Sequence, residues 1–273
     1  MAALKNIAIV GAGHMGIAIA LGLRRSNPNI SIAIIDSDPE KYKNISGANI
    51  NLLAGLPDAP TFEAMILAIP PQAFNSFSHN NPQLKSLSTL MISVMAGVTI
   101  SELEKYLKTS QVCRAIPNLP CAINEGVTVL MPHPTITQKN KLLAIQILSQ
   151  LGTLIMTQDE RAIDDATALV GGGPAYISYF AEALIAYAVS AGFDKATAFS
   201  IVTQIIHGTS ALLKTNTDTP ETLCKKVMTP NGTTERAIDV LNNKQVKNII
   251  IDALKSSSMR STELGRSVQS CKD

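Results

Sequence analysis

Residues 6–16 read Asn-Ile-Ala-Ile-Val-Gly-Ala-Gly-His-Met-Gly. Asn6 to Val10 is a short, apolar, β-branched run, the kind that is buried on both faces of a parallel sheet. Gly11-Ala12-Gly13-His14-Met15-Gly16 follows at once, and Gly16 to Arg25 has the composition of a helix. A strand, a G-x-G-x-x-G turn and a helix, in that order, form a dinucleotide-binding fingerprint. Each glycine has a task. Gly11 permits the tight turn, Gly13 lets the backbone approach a pyrophosphate, and Gly16 lets the helix pack close to the strand. The phosphates then sit among free backbone N–H groups at the positive end of the helix. Ala12, His14 and Met15 contribute to this loop through their backbone, and the His14 side chain is expected to face solvent.

The fingerprint calls for an acidic residue about twenty positions on, at the end of the next strand. Asp36 closes the apolar run Ser31 to Ile35 and fills that place. A carboxylate there accepts hydrogen bonds from the 2′-hydroxyl of NAD and repels the 2′-phosphate of NADP, so Asp36 leans toward NADH. Ser37 and Lys41 would help a phosphate if Asp36 turned aside.

Working outward, Met65 to Ile69, Thr89 to Val94, Val112 to Ile116 and Val127 to Met131 are further strand-like runs, with helix-like stretches such as Ser101 to Leu107 between them. Alternating strands and helices predict an α/β fold, a Rossmann-type doubly wound, mostly parallel sheet, over residues 1–158. Beyond that point helical periods take over, and residues 159–273 are expected to be all-α. Pro174 opens a helix that ends at Ala191, with Gly192 as its stop. Its stripe of Ile177, Phe180, Ala181, Leu184 and Ala188 is backed by Ala183, Ala186 and Tyr187, so the helix is apolar nearly all round. Such a helix needs cover on every side, and a second subunit supplies it more easily than so small a domain. Asp194 caps a further helix to about Lys214, and Thr219-Pro220-Glu221 starts another. Val246, Ile249, Ile250, Ala253 and Leu254 stripe a last one.

The composition excludes several classes of function. The 273 residues carry a net charge of only +2, with six Phe, five Tyr and no Trp, so a nucleic-acid platform of stacked aromatics is not expected. The four cysteines, Cys113, Cys121, Cys224 and Cys271, have neither metal-knuckle nor CxxC spacing and read as free thiols, with no metal site. Ile7 to Leu23 is apolar behind Lys5, as in a signal peptide, but its spaced glycines and the lack of a small-x-small cleavage site argue otherwise. No membrane partner is expected, and the localisation implied is cytoplasmic.

A second signal lies at Val227-Met228-Thr229-Pro230-Asn231-Gly232-Thr233-Thr234-Glu235-Arg236-Ala237-Ile238. It is a loop of turn residues entering a helix, and the Asn-Gly pair tolerates positive φ. Backbone N–H groups from Gly232 to Thr234 would gather at the helix start, among hydroxyls, as a carboxylate pocket. An ordinary capped helix start fits the residues equally well.

This stretch resembles the signature loop of the pyrroline-5-carboxylate reductases, Thr/Ser-(Ser)-Pro-Gly-Gly-Thr-Thr. Other matches run in the same order. Ala68-Ile69-Pro70-Pro71-Gln72 is similar to the family's Ala-Val-Lys-Pro-Gln cofactor loop, and Ser93-Val94-Met95-Ala96-Gly97-Val98 to its next strand end. Arg114-Ala115-Ile116-Pro117-Asn118-Leu119-Pro120 and Gly171-Gly172-Gly173-Pro174-Ala175-Tyr176 also have counterparts. The sequence departs from the family with Pro70 for lysine, Asn231 and Asn124 for glycines, Leu119 for threonine, and Gly171 and Gly173 for serines.

The resemblance implies reduction of 1-pyrroline-5-carboxylate to L-proline, the last step of proline biosynthesis, with NADPH or NADH. It places the cofactor on Gly11 to Gly16, Asp36, Ser37, Ala68, Ile69, Pro70, Pro71 and Ala96. The substrate carboxylate would lie on Thr229, Gly232, Thr233 and Thr234, with the Thr234 hydroxyl orienting the imine nitrogen. The helical part would be a dimerisation domain, with a site near the homodimer interface, and a ring of dimers is compatible with it. Two rivals stand beside this. A β-hydroxyacid-type dehydrogenase shares the two-domain plan but needs a lysine on a central helix, and Lys195 is the nearest. A non-catalytic sensor of nicotinamide nucleotides would explain Pro70.

Overall fold

The computed structural model describes residues 6–38, 40, 50–215 and 217–270, the side chains of 86 and 264–270 excepted. Lys41 and Cys271 lie outside the described residues. The chain packs as two compact units. One runs to Pro174 and takes the chain back from Ser256, and the other is Ala175–Lys255.

The first unit is built on an eight-stranded sheet of order β3-β2-β1-β4-β5-β6-β7-β8. Its strands are β1 (Asn6–Val10), β2 (Ser31–Ile35), β3 (Ile50–Leu53), β4 (Ala64–Leu67), β5 (Leu90–Ser93), β6 (Val112–Ile116), β7 (Gly126–Pro132) and β8 (Gly152–Met156). All neighbours are parallel except β6 and β7. The expected doubly wound, mostly parallel sheet is therefore present. Strands β1, β2, β4, β5 and β6 are buried almost throughout, which is why they read as unbroken apolar runs.

Alternate side chains of these strands enter two separate cores, as the period of two requires. Ile7, Ile9, Ile32, Ile34, Ile66 and Ile92 pack on one face with Ile19 and Leu23 of α1 (His14–Ser26) and Ile147 of α4 (Gln138–Leu148). Ala8, Val10, Met65, Leu67 and Met91 pack on the other. There they meet Phe74 of α2 (Phe74–Asn80), Leu103 and Leu107 of α3 (Ile100–Leu107), and Ile163 of α5 (Glu160–Ala166). Thr99 and Glu102 form a capping box at the start of α3, satisfying two of the backbone donors that a helix end leaves open.

The boundary expected at 158 falls before α5, whereas α5 packs with the sheet. The cause is Arg114 on β6, whose side chain is 1% exposed. Its guanidinium donates to Glu160 Oε1 and Asp164 Oδ1, each at 2.8 Å. Glu160 Oε1 also accepts from the Ile100 N–H at 2.8 Å. One buried cation thus joins β6, α5 and the start of α3. The returning C-terminal helix adds a bond within the same unit, from Ser258 Oγ to Asp165 Oδ1 at 2.7 Å.

The second unit is helical. It comprises most of α6 (Gly173–Ser190), then α7 (Lys195–Thr215), α8 (Pro220–Val227), α9 (Thr233–Asn243) and the first part of α10 (Val246–Ser270). The expected punctuation is present. Gly192 takes φ 99° after α6. Asp194 Oδ1 accepts from the N–H groups of Ala196 and Thr197, and Thr219 Oγ1 from that of Thr222. A wide helical turn, Thr167–Gly171, precedes α6 and was not anticipated.

Cys113, Cys121 and Cys224 are free. Burial pushes the Cys113 thiol up to about 12 and the Cys121 thiol to about 11. The thiolate is the nucleophile, so at pH 8 roughly one Cys113 in ten thousand is reactive. Iodoacetamide at pH 8 should leave both unlabelled in the native protein and label them in urea; native labelling at the rate of a free thiol would contradict this burial. Arg114→Ala strands two carboxylates and is expected to lower unfolding free energy by about 3 kcal/mol in urea titrations. A loss below about 1 kcal/mol would show that the triad does not hold α5.

Candidate dinucleotide site and helix-entry loop

The glycine loop lies at the carboxyl end of β1, where the strand order reverses between β2 on one side and β4 on the other. Such switch points are where open α/β sheets bind ligands. Gly11 has φ 108°, and a β-carbon on it would lie 2.5 Å from the Ala68 carbonyl oxygen. The loop is thus pressed against the chain leaving β4. A β-carbon on Gly16 would lie 2.0 Å from the Gly11 carbonyl oxygen, so the helix start rests directly on the turn. Gly13 is different: among the described residues, nothing beyond its chain neighbours and its own helix lies within 4 Å of where its β-carbon would be. The roles expected of Gly11 and Gly16 are visible as packing, and Gly13 faces open space, as an approaching ligand requires.

Gly13 is the N-cap of α1 and offers no side chain to cap it, and the first helical bond is Ile17 N–H to Gly13 carbonyl at 3.0 Å. The N–H groups of the first turn are left for another acceptor. An anion fits this cradle on both counts, space and donors. His14 is exposed and Met15 half-buried.

Asp36 follows β2 directly, and its N–H donates to the Leu53 carbonyl at 3.1 Å. Its carboxylate accepts from the Ala12 N–H at 2.8 Å and from the Asp38 N–H at 3.0 Å. The acid named by the fingerprint is therefore bonded to the glycine loop itself, which spacing alone did not reveal. Ser37 beside it is exposed. Ala68, Ile69 and Pro70 lie beyond the end of β4, and Pro71 opens a short 3-10 turn. Ala96 follows β5, whose exit is held by Val94 N–H to the Leu67 carbonyl at 3.0 Å. Gly11 to Gly16, Asp36, Ala68 to Pro71 and Ala96 thus occupy the carboxyl ends of β1, β2, β4 and β5.

In the helical unit, Thr229 to Gly232 form a tight turn between α8 and α9. The Gly232 N–H donates to the Thr229 carbonyl at 2.8 Å. That donor is consumed within the turn, so the N–H groups left at the start of α9 begin with Thr233. Gly232 serves by lacking a β-carbon, which would lie 2.2 Å from Thr229 Oγ1. Asn231 has φ 58°, and its N–H donates to Glu235 Oε2. Glu235 was not singled out as a working residue, although its place in the first turn of α9 is a usual capping signal. Asn124 is likewise left-handed, at φ 64°. The two asparagines that depart from family glycines thus keep the glycine conformation, which asparagine tolerates better than other side chains. Asn124 also uses its amide, donating to the Gly22 and Gln150 carbonyls at 2.8 and 2.6 Å. Lys195, the candidate of the hydroxyacid rival, is exposed at the first position of α7.

Fold and site together define an oxidoreductase that joins a Rossmann-type dinucleotide unit to a C-terminal helical domain. Two family models match. Pyrroline-5-carboxylate reductase dimerisation covers residues 160–264, and NADP oxidoreductase, coenzyme F420-dependent, covers residues 6–97. The pyrroline-5-carboxylate reductase of Aquifex aeolicus is 29% identical over 95% of this chain and 97% of its own length. The solved structure of a pyrroline-5-carboxylate reductase from Coxiella burnetii is 28% identical, with a TM-score of 0.82 over 96% of this chain and 99% of that one. The Streptococcus pyogenes enzyme gives 27% and 0.82, over 94% and 98%. The chain belongs to the pyrroline-5-carboxylate reductase family, and its helical part carries that family's dimerisation domain.

The glycines separate packing from ligand approach. Gly13→Ala should change stability by no more than about 0.5 kcal/mol and weaken dinucleotide binding about tenfold. Gly16→Ala should lower both stability and binding. Calorimetry and nicotinamide fluorescence read the two effects; unchanged binding in Gly13→Ala would remove the pyrophosphate from this loop.

Proposed function

We propose that the protein reduces 1-pyrroline-5-carboxylate to L-proline with NADPH or NADH, as the last step of proline biosynthesis in the cytoplasm. The observation that carries this is the pairing, in one chain of this family, of an uncapped glycine-loop helix with a Thr-Pro-Asn-Gly-Thr-Thr helix entry. When bound, the nicotinamide supplies the hydride. The residues of the chain bind and orient. Gly11 to Gly16 hold the pyrophosphate on backbone donors, and Ala68 to Pro71 and Ala96 border the cofactor at the strand ends. Ser37 stands at the ribose end.

Thr229, Gly232, Thr233 and Thr234 take the substrate carboxylate, using the N–H groups of Thr233 and Thr234 and the threonine hydroxyls. The Thr234 hydroxyl also hydrogen-bonds the ring nitrogen and so fixes the face of the imine. Positioning of this kind supplies much of the rate, because hydride transfer needs a close, aligned contact. No strong base is required: the imine arrives protonated or takes its proton from water, and Thr234 orients without titrating.

Residues 1–158 are read as the dinucleotide-binding domain and 159–273 as the helical substrate and dimerisation domain, a division close to the start of the family match at 160. On this reading the protein is a homodimer, and a ring of dimers is compatible with it. Helix α7 is long and apolar enough to cross a membrane by length and composition, and 11% of its apolar window is buried. It lies inside the dimerisation match, so its exposed apolar side is assigned to a second subunit and not to lipid. Tyr179 and Tyr187 of α6, 73% and 74% exposed, are assigned the same cover.

Purified protein should oxidise NADPH or NADH when given 1-pyrroline-5-carboxylate and release proline. Thr234→Ala should lower kcat/KM by about 10- to 100-fold with dinucleotide binding unchanged. A folded protein that binds dinucleotide and turns over neither cofactor would leave the sensor or hydroxyacid readings in its place.

A further inference from the structure

The reading of the chain as a nicotinamide-dependent reductase, with Ala96 beside the cofactor, underlies this inference. Ala96 lies in the loop from Val94 to Thr99, between β5 and α3. The loop is fixed where it leaves the sheet: the Val94 N–H donates to the Leu67 carbonyl and the Met95 N–H to Ser93 Oγ, at 3.0 and 3.3 Å. Met95, Gly97 and Val98 are buried, Ala96 is half-buried, and Gly97 turns the chain at φ 75°. At the far end Thr99 Oγ1 accepts from the Glu102 N–H, and Glu102 Oε2 from the Thr99 N–H, at 3.2 and 2.8 Å. This capping box serves two donors and leaves the N–H of Ile100, the first residue of α3. Glu160 Oε1, sixty residues on, accepts from that N–H at 2.8 Å. The same oxygen accepts from Arg114 Nη1 at 2.8 Å, and the guanidinium is buried on β6. A single atom thus links the exit of the Ala96 loop to the sheet. Asp164, also on α5, bonds the guanidinium through Nη2 at 2.8 Å, and among the described residues its side chain does not reach α3.

We propose that Glu160 is a positioning residue for hydride transfer: clamped by Arg114, its Oε1 locates the first turn of α3 and through it holds Ala96 in place beside the nicotinamide. The capping box is local to α3 and cannot place that helix on the sheet. Leu103 and Leu107 pack α3 against the core, but apolar packing is non-directional. A hydrogen bond to a carboxylate is short, strong and directed, so it sets where the first turn stands. Glu160 acts through the Ile100 N–H and not on the reacting atoms. The glycine loop grips the pyrophosphate at the end of a different strand, so a slack Ala96 loop costs alignment of the nicotinamide and not affinity for the cofactor. Alignment is what hydride transfer depends on.

The test is kcat for reduction of 1-pyrroline-5-carboxylate by full-length variants, with the dissociation constant of the reduced cofactor measured beside it. Glu160→Ala and Asp164→Ala each take one carboxylate from Arg114, but only the first frees the Ile100 N–H. Glu160→Ala is expected to lower kcat about tenfold, as a small misalignment of reacting atoms does, with cofactor affinity within about threefold. Glu160→Gln keeps an oxygen that can accept from both donors and should stay within about threefold of the unaltered kcat. Asp164→Ala should leave kcat within about twofold, although both alanine variants unfold at lower urea. Glu160→Asp keeps the charge but withdraws the oxygen by one methylene. It should lose at least about threefold in kcat, and it carries the same test if Glu160→Ala does not fold. Equal kcat in the two alanine variants, whether both fall or neither does, would overturn the inference and leave the reductase reading intact. Unchanged kcat in Glu160→Asp would do the same. An unaltered protein that binds dinucleotide and turns over neither cofactor would overturn the reductase reading, and the inference with it.

Discussion

The first unit depends on one close approach: the Gly11 carbonyl oxygen occupies the place where any side chain on residue 16 would begin. Only glycine at position 16 lets α1 start directly on the turn that ends β1. The same helix meets a second carbonyl further on, since a β-carbon on Gly22 would lie 2.1 Å from the Cys121 oxygen. Two glycines thus set how closely α1 approaches the turn after β1 at one end and the 3-10 turn Leu119–Ile123 at the other. Asn124 secures the far end with its amide bonds to Gly22 and Gln150. Among the described residues, the near end has no side-chain cap and has open space at Gly13, the conditions under which a helix terminus holds phosphate.

Asp36 completes this arrangement from the neighbouring strand. Its bond to the Ala12 N–H ties the glycine loop to the end of β2. The helix-entry loop of the second unit follows a related logic. Asn231 takes a left-handed conformation, Gly232 makes room for the Thr229 hydroxyl, and Glu235 fixes the Asn231 N–H. In both loops a carboxylate ties backbone N–H groups in place, and glycine admits an oxygen where a methyl group would clash.

Much of this was legible in the sequence, and the gaps have physical causes. The central strands announced themselves because both faces are buried. Strands β3 and β8 did not: they are edge strands, half exposed, and their sequences INLL and GTLIM carry no long apolar run. The position of Asp36 followed from spacing, but its bond to Ala12 spans 24 residues and has no local signature. The same holds for Arg114, whose carboxylate partners lie 46 and 50 residues on and carry α5 across the expected boundary. The turn at Thr229 to Gly232 was readable from its residue types. That its first N–H is spent inside the turn was not, because Asn-Gly pairs support several turn geometries. The apolar surround of α6 was plain from composition, and its exposure in the single chain agrees with membership of a family that carries a dimerisation domain.

The central claim is that hydride passes from the nicotinamide to the imine carbon of a substrate held by its carboxylate. It is tested most directly by supplying reduced cofactor labelled with deuterium at nicotinamide C4, each epimer in turn, and examining the proline formed by mass spectrometry and NMR. The account predicts that one epimer delivers a single deuterium to the former imine carbon and the other delivers none. Unlabelled proline from both epimers, or label at any other carbon, would contradict it.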